Sequence, residues 1–309
     1  MVSYFYKSLR SQAIEQTQGA RKGVWVHAEN PSTDELQQLA RDLNLNEGLL
    51  QDALDEDEMP RLEHSGSNVY IYVRAPHIRK QGNFDTVPLL FVFTADCLVT
   101  ISAKALSSME WFKQSRQEFA TTQRTKFFLQ MMHVIVNQYD EYITETSKQI
   151  KTIRTRLRGH DISNKDFLDF VTIEDELNEF LSALQPNNAT LRRLSVGKHI
   201  PLFDEDQDIV EDLLLSTDQS VEASRANTKS IVNIRQAYSA ISSNNLNRTM
   251  KILTVATVMI SLPNTIFGMY GMNIGLPIQN HSWSYVAIIG IVLSLLTLIY
   301  VLFKRKRVI

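Results

Sequence analysis

The feature that most constrains the fold is a stretch of 52 residues, Ile252 to Phe303, that contains no Asp, Glu, Lys or Arg. The hydrocarbon core of a bilayer is about 30 Å thick, and about 20 residues of α-helix cross it. Residues 252–269 and 285–303 are apolar, whereas residues 270–284 between them collect Gly, Pro, Asn and Gln. Soluble cores rarely sustain an uncharged stretch of this length. The sequence therefore predicts two membrane-spanning helices joined by a short loop.

The basic residues beside this hairpin predict its orientation. Lys304 to Arg307 follow the second span, and Arg248 and Lys251 precede the first, while the loop at 270–284 carries no Lys or Arg. Basic residues concentrate on the cytoplasmic side of membrane helices. We therefore expect a multi-pass protein of the cytoplasmic (inner) membrane. Both termini, including the basic tail at 304–309, are expected in the cytoplasm and the loop outside.

The charge balance narrows the choice of partners. The formal net charge is −2, and setting aside the four basic residues at 304–307 leaves −6 (−2 minus 4) for the rest of the chain. An acidic balance argues against nucleic acid as a partner and is compatible with cations. The seven histidines have no spacing typical of a zinc site, and the sequence has no phosphate-binding loop, Ser-His-Asp pattern or Cys-x-x-Cys pair. We therefore predict that the chain is not an enzyme.

The first 103 residues show the pattern of a mixed α/β domain. Val24 to Ala28 alternate like a strand, and Ser32 and Glu35 have the spacing of a capping box at the start of a helix. Three β-rich runs follow, with Gly82-Asn83 as a turn signal between the first two. These runs are Val69–Arg74, Thr86–Thr94 and Cys97–Ser102. We expect residues 1–103 to form a cytoplasmic α/β domain.

Long helices are predicted for the rest of the chain before the loop. Thr125 to Arg158 and Asn164 to Leu194 have the apolar period of amphipathic helices, with Gly159 between them. Residues 104–203 are therefore predicted to form a cytoplasmic helical hairpin region. Asp204 to Met269 contains no proline before Pro263, and as one helix it would be about 100 Å long. We expect residues 204–269 to begin as a cytoplasmic stalk and to continue as the first membrane helix.

Polar residues in and just before the first span lie on one stripe. They are separated by 7, 3, 4 and 3 residues, which keeps them on one face of an α-helix. Polar groups within a membrane face a partner or water. The spacing leaves two interpretations open, hydrogen bonding between packed helices or the wall of a pore formed by symmetry-related copies. The residues are Asn247, Thr254, Thr257, Ser261 and Asn264.

The segment after this helix, Tyr270-Gly271-Met272-Asn273, resembles the signature of the CorA family of magnesium transporters. It stands at the end of the first of two terminal spans and before a basic tail. Ser243 to Asn247, Met250-Lys251 and Asp52 to Arg61 also resemble stretches common in the family. The resemblance covers essentially the whole chain. It implies a funnel-shaped homopentamer whose first membrane helices line a central pore and whose second helices form an outer ring.

The resemblance also implies roles for individual residues. Gly271, Met272 and Asn273 would form the outer entrance and selectivity filter, where Asn273 presents a ring of amide oxygens to a hydrated cation. At the inner end, Asn247, Met250 and Leu253 match the family's pore-facing Asn-x-x-Met-x-x-Leu. The match implies a polar ring of Asn247 side chains followed by a hydrophobic constriction. If the polar stripe forms the pore wall, Thr254, Thr257, Ser261 and Asn264 would be the remaining pore-lining residues.

Regulation by Mg²⁺ is a further implication of the resemblance. The family is thought to sense cytoplasmic Mg²⁺ at acidic sites between subunits, so that bound metal holds the channel shut. The acidic stretch that begins at Asp204, Asp206 and Asp208 and the cluster at Asp52 to Glu58 are candidates by composition. The alternative is a solvated charged face, which most acidic runs form. Mg²⁺ would then be both the transported and the regulatory ion.

The leading hypothesis is therefore a passive, gated Mg²⁺ channel that also passes Co²⁺ and Ni²⁺. A zinc transporter of the related ZntB type is the second hypothesis, although those relatives often alter the middle residue of Gly-Met-Asn and Met272 is unaltered here. A third hypothesis, from another functional class, is a membrane-anchored structural or signalling protein without ion flux. It would require neither the polar stripe nor Asn273.

Overall fold

The computed structural model describes residues 1–11, 13–78, 84–114, 118–158, 164–278 and 281–305. The predicted turn at Gly82-Asn83, the predicted helix break at Gly159 and the basic residues Lys306 and Arg307 lie outside the described residues. The chain divides into two compact units, Met1–Ile234 and Arg235–Ile309. Each unit is described by itself.

The first unit is built on a mixed sheet of seven strands in the order β2-β1-β3-β7-β6-β5-β4. Neighbouring strands are antiparallel except β3 and β7, which are parallel. In that pair Trp25 lies opposite Leu98 and Ala28 opposite Ile101. A parallel pair needs a long connection, and the chain between β3 and β7 supplies it with two helices and three strands. The strands are β1 (Val2–Tyr6), β2 (Glu15–Thr17), β3 (Trp25–Glu29), β4 (Arg61–Ser65), β5 (Asn68–Ile78), β6 (Phe84–Phe93) and β7 (Leu98–Ser102).

The predicted strands at 24–28, 69–74, 86–94 and 97–102 are confirmed as β3, β5, β6 and β7. Strands β1, β2 and β4 were missed by the sequence interpretation. Every residue of β1 is partly buried, so that it lacks the alternation that marks a strand. The short β2 contains Glu15, Gln16 and Thr17, and β4 buries one residue, Leu62, between polar neighbours. Pairing with stronger strands, rather than local sequence, places these three segments in the sheet.

The helices follow the predicted order, with the capping box confirmed. The Ser32 hydroxyl accepts a hydrogen bond from the Glu35 N–H at 3.2 Å, and the Glu35 carboxylate accepts one from the Ser32 N–H at 2.9 Å. Helix α3 was not predicted. The helices are α1 (Thr33–Leu43), α2 (Glu47–Asp52), α3 (Ser107–Lys113), α4 (Arg124–Arg158), α5 (Asn164–Ser195), α6 (Asp204–Tyr270) and α7 (Ser284–Arg305).

The sheet is covered on both faces, which explains the nearly continuous apolar runs of its central strands. Alternate residues of β5 enter different cores. Val69, Ile71 and Val73 pack with residues of α3 to α5 and the first part of α6. Tyr70 and Tyr72 pack with residues of α1 and α2. The predicted mixed α/β fold is confirmed. The predicted boundary at residue 103 stays a prediction, and helix α4 shares a core with the sheet.

The second unit contains the carboxyl-terminal part of α6 and helix α7. Both helices include a segment long and apolar enough to span a membrane, and 6% of each such segment is buried. A core helix of a soluble protein would be mostly buried, so these surfaces need lipid or other chains to cover them. Helix α6 continues through Pro263 to Tyr270, one residue beyond the predicted end.

Candidate functional site

The predicted pore-lining residues lie on one stripe of α6. At about 100° per residue, all seven fall within an arc of about 120° of the helix circumference. Each of the seven is exposed in the single chain. Val255, which lies outside this arc, is 7% exposed. The structure therefore brings together, on one exposed face, Asn247, Met250, Leu253, Thr254, Thr257, Ser261 and Asn264.

The hydroxyl groups of the stripe donate to the backbone of their own helix. Thr254 Oγ1 donates to the carbonyl oxygen of Met250 at 2.9 Å, and Thr257 Oγ1 donates to that of Leu253 at 2.9 Å. Ser261 Oγ donates to the Val258 carbonyl oxygen at 3.2 Å. Each hydroxyl hydrogen is thus engaged, while the oxygen keeps its lone pairs. The three hydroxyl groups therefore present acceptor oxygens rather than donors.

Acceptors are the groups that a hydrated cation requires. The water molecules around Mg²⁺ direct their oxygens to the ion and their hydrogens outward, and Mg²⁺ releases these waters reluctantly. The side chains of Asn247 and Asn264, which form no hydrogen bond to any residue that the structure describes, add amide oxygens to the same face. The stripe is therefore suited chemically to contact with the water shell of a divalent cation.

Gly271, Met272 and Asn273 lie immediately after the end of α6. The Gly271 N–H donates to the Phe267 carbonyl oxygen at 3.0 Å, and the Met272 N–H donates to that of Met269 at 3.2 Å. These bonds satisfy carbonyl oxygens of the last turn of α6. Asn273 is exposed, and its side chain has no hydrogen-bond partner within the described ranges. Its amide is free to meet a ligand from solution.

Side-chain hydrogen bonds hold the loop beside this tripeptide. The Tyr270 hydroxyl donates to the Pro277 carbonyl oxygen at 3.3 Å, and the Ser284 hydroxyl donates to the His281 carbonyl oxygen at 2.6 Å where α7 begins. Residues 270–284 contain no Asp or Glu. A cation at this position would therefore meet neutral oxygens, from amides and backbone carbonyls.

Within one chain, the three acids predicted to bind regulatory Mg²⁺ have different surroundings. Asp206 is buried, and its carboxylate accepts a hydrogen bond from the Phe203 N–H at 3.1 Å. Asp204 and Asp208 are exposed. Among the described residues, no group of three or more His, Cys, Asp or Glu side chains is arranged to hold a metal ion. A site shared between copies stays a prediction.

Two members of the second acidic candidate, Asp52 to Glu58, form ion pairs with Arg61. The Arg61 guanidinium contacts Glu58 and lies 2.7 Å from carboxylate oxygens of both Asp52 and Glu63. It also stacks over the ring of Tyr72, 4.2 Å from its centroid. These contacts give Asp52 and Glu58 a structural role in the turn before β4, and metal binding by the cluster stays a prediction.

A buried arginine is the feature of this region that sequence reasoning missed. Arg74 on β5 donates to Thr86 Oγ1 at 2.8 Å and to the carbonyl oxygens of Glu56 at 2.8 Å and Glu58 at 3.0 Å. The Asn187 side chain on α5 hydrogen-bonds both its N–H and its carbonyl oxygen. Arg74 thus ties the acidic segment and α5 to the sheet. An arginine inside an apolar strand was the available signal.

Comparison with known proteins is consistent with this arrangement. The profile of a family described as CorA-like Mg²⁺ transporter protein matches residues 21–307. The cobalt/magnesium transport protein CorA of Methanocaldococcus jannaschii is 23% identical over 292 residues, which are 92% of this chain and 90% of the relative.

Two solved structures illustrate the likeness in fold. The complete structure of the CorA magnesium transporter from Methanocaldococcus jannaschii superimposes with a TM-score of 0.82 at 20% identity, covering 99% of this chain and 98% of that one. The cytoplasmic domain of ZntB from Vibrio parahaemolyticus gives a TM-score of 0.64 at 9% identity, covering 78% of this chain and 98% of that domain. At these identities the likeness concerns the fold alone.

Proposed function

The chain belongs to the family of CorA-like Mg²⁺ transporters, and from this membership we propose that it forms a channel for hydrated Mg²⁺ in the cytoplasmic membrane. Members of the family are ion transporters, not enzymes. The observation that carries the proposal is the exposed stripe on α6, from Asn247 to Asn264, whose hydroxyl and amide oxygens can accept hydrogen bonds, and which is followed by Asn273 in the adjoining loop.

The proposed pore is formed by five copies of the chain. One stripe covers a single side of a channel, so several copies of α6 are required around a common axis, and the family resemblance supports five. Helix α7 has no charged residue between Ser284 and Phe303, which suits an outer ring in contact with lipid. This arrangement would cover the apolar surfaces that the single chain leaves exposed.

Ion selection is assigned to Gly271, Met272 and Asn273. Five Asn273 amide oxygens would accept hydrogen bonds from the water shell of Mg²⁺ without displacing those waters. A ring of neutral oxygens also holds the ion less tightly than a ring of carboxylates, and conduction requires release as well as binding. Because such a ring contacts the water shell and not the ion itself, it distinguishes poorly between similar hydrated divalent ions. Co²⁺ and Ni²⁺ are therefore expected to pass as well. The name of the Methanocaldococcus jannaschii relative includes cobalt.

The inner end of the pathway is the proposed gate. Asn247 would form a polar ring, and Met250 and Leu253 a hydrophobic constriction that blocks ions when it is dry. With both termini in the cytoplasm, ions would enter from the side of the loop and move inward passively. The membrane potential contributes about 2.3 kcal/mol per elementary charge per 100 mV.

Cytoplasmic Mg²⁺ is proposed to hold this gate closed from sites between copies. Asp204 and Asp208 are exposed at the start of α6 and are available to such a site. Asp206 serves the helix start through its bond to the Phe203 N–H, and it is therefore the least available of the three. Neutralising such a site is expected to weaken closure, because an ion that favours one state shifts the equilibrium toward that state.

The experiment that tests this function is ion flux into proteoliposomes, measured for Mg²⁺, Co²⁺, Ni²⁺ and Zn²⁺ with and without a pH gradient. We expect Mg²⁺ flux without a pH gradient, its loss in Asn273→Ala, and wild-type flux in the loop control Ser282→Ala. Zinc flux that requires the pH gradient would favour a ZntB-type transporter. Absence of flux for all four ions, in folded protein, would favour a structural or signalling role.

A further inference from the structure

Two histidines that are distant in sequence meet on the surface of the first unit. His64 lies on β4, the last strand of the sheet order, and His199 lies in the connection between α5 and α6. His64 Nε2 and His199 Nδ1 are 2.8 Å apart, and the two ring centroids are 5.1 Å apart with an angle of 34° between the planes. The fold thus creates a paired arrangement that the spacing of the histidines does not reveal.

Both imidazoles are carried by backbone that is fixed nearby. His64 is opposite Val69 in the β4–β5 register, and the neighbouring Leu62 is buried in the core. His199 is followed directly by Ile200, which is 2% exposed. Before it, the Gly197 N–H donates to the Leu194 carbonyl oxygen at 2.9 Å at the end of α5. The backbone that carries the two side chains is therefore held in place, and binding requires rotation of the imidazoles only.

The two nitrogens point almost directly at each other, as the 2.8 Å between them and the 5.1 Å between the ring centroids show, so both rings must turn before their lone pairs can converge on one metal ion. With metal–nitrogen bonds of about 2.1 Å, adjacent octahedral ligands lie about 3.0 Å apart and tetrahedral ligands about 3.4 Å apart. The observed 2.8 Å is closer to the octahedral value. Imidazole nitrogen prefers transition metals over Mg²⁺, and the affinity of a given site rises from Co²⁺ to Ni²⁺. From this geometry we propose that His64 and His199 form a binding site for Ni²⁺ or Co²⁺, with water completing the coordination.

The electrostatic surroundings favour this class of ion over Mg²⁺. Arg193 and Lys198 lie close enough to His199 to act on it electrostatically. A neutral imidazole is the form that binds a metal. Arg193 and Lys198 repel every cation, and a hard ion bound by charge alone has no covalent gain to offset that repulsion. Within the described residues, no group of three or more His, Cys, Asp or Glu side chains is arranged as a metal site, so the pair acts without a carboxylate that would attract Mg²⁺.

A bound ion would join the edge of the sheet to the connection that leads into α6. The ring that donates the hydrogen bond takes its other tautomer, by losing the proton from the facing nitrogen to water and gaining one on its second nitrogen, and each ring turns to direct a lone pair at the ion. Helix α6 begins at Asp204 in the same connection. The inference goes beyond the proposed transport function and uses none of the residues assigned to the ion pathway.

Calorimetric titration of the full-length protein with Ni²⁺ tests the site. The protein must lack a polyhistidine tag and be saturated with Mg²⁺, so that oxygen sites are filled. We expect one Ni²⁺ per chain and a loss of affinity of about tenfold to a hundredfold in His64→Ala and in His199→Ala, because the second ligand acts at high effective concentration. His133→Ala, which removes another exposed histidine, should bind as the wild type does.

A second measurement guards against misfolded variants. Ni²⁺ should raise the unfolding temperature of the wild type and of His133→Ala, since a ligand that binds the folded state stabilises it. The unfolding temperature of His64→Ala should not change when Ni²⁺ is added. Asn273→Ala should retain Ni²⁺ binding even if transport fails, which separates this inference from the proposed function. Equal Ni²⁺ affinity in the wild type and both paired-histidine variants, or displacement of Ni²⁺ by Mg²⁺, would overturn the proposal.

Discussion

The carboxylate of Asp206 accepts a hydrogen bond from the backbone N–H of Phe203 at 3.1 Å, at the residue where helix α6 is about to begin. This bond separates Asp206 from Asp204 and Asp208, its exposed neighbours in the same acidic stretch. A carboxylate in the first turn stabilises a helix start through the unpaired N–H groups there. The three acids, which composition alone groups together, therefore have two different roles available to them.

The first prediction follows from that separation. The double variant Asp204→Asn/Asp208→Asn should raise Mg²⁺ flux at high internal Mg²⁺ without changing the unfolding temperature, because both side chains are exposed. Asp206→Ala should lower the free energy of unfolding by about 1 kcal/mol, the usual cost of losing a helix cap. Flux in proteoliposomes and thermal unfolding measure the two effects. Unchanged inhibition in the double variant would remove these acids from the gating mechanism.

The second prediction concerns the hydroxyl groups of the stripe. Thr254→Val and Thr257→Val keep the shape of each side chain but remove its acceptor oxygen, so Mg²⁺ flux should fall several-fold while the protein stays folded. Loss of the bonds to Met250 and Leu253 costs about 0.5–1.5 kcal/mol each. Thr297→Val on α7 is the matched control, because Thr297 Oγ1 makes the same type of bond, 2.8 Å to the Leu293 carbonyl oxygen. Equal loss of flux in the control would argue against a special role for the stripe.

The third prediction contrasts two arginines of the first unit. Arg74→Met should lower the free energy of unfolding by about 3–5 kcal/mol, since it leaves buried partners without the charge they were arranged around. Its side chain is 9% exposed, whereas that of Arg61 is 30% exposed. Arg61→Met should therefore cost much less. Denaturant unfolding of the two variants in parallel provides the measurement, and similar losses would contradict the assigned roles.

The fourth prediction concerns pH and His27. Burial lowers the pKa of His27 below its usual 6.5, so the unfolded chain binds a proton that the folded chain does not. The resulting stability is fully present above pH 6.5 and is lost as the pH falls below it, by up to about 1.4 kcal/mol per pH unit. The hydrogen bond from His27 is the main cause that lowers the pKa of Glu29 to about 2, so Glu29 stays ionised through this window.

Thermal unfolding between pH 5 and pH 8 checks this dependence. In His27→Gln the slope between pH 5 and pH 6.5 should be smaller than in the wild type. His133→Ala, at an exposed position, should keep the wild-type slope. A wild-type slope in His27→Gln would assign the pH dependence to other groups.

Sequence reasoning succeeded where local chemistry decides the structure. The uncharged stretch after Lys251, the capping box of Ser32 and Glu35, and the absence of a helix breaker before Pro263 are read directly from neighbouring residues. The predicted start of α1 and both predicted ends of α6 and α7 agree with the structure to within two residues. The stripe on α6 could be predicted in the same way, because helical periodicity fixes which side chains share a face.

Contacts between distant residues account for what the sequence did not reveal. His64 and His199 are 135 positions apart, and Arg74 and Asn187, which hydrogen-bond each other, are 113 positions apart. The short strand β2 acquires its structure from its neighbour β1. No local pattern encodes these relationships, since each depends on the tertiary fold.

The most direct test of the central claim is the access of a charged thiol reagent to single cysteines in α6 during Mg²⁺ flux. Cys97 is the one cysteine in the sequence and is buried, so Cys97→Ser gives a suitable background. We predict that modification of Thr254→Cys and Thr257→Cys blocks flux, while Val255→Cys and the α7 variant Thr297→Cys are not blocked. Block at Val255→Cys and Thr297→Cys to the same extent, or unaltered flux after confirmed modification at Thr254→Cys, would contradict a water-filled pathway along this stripe.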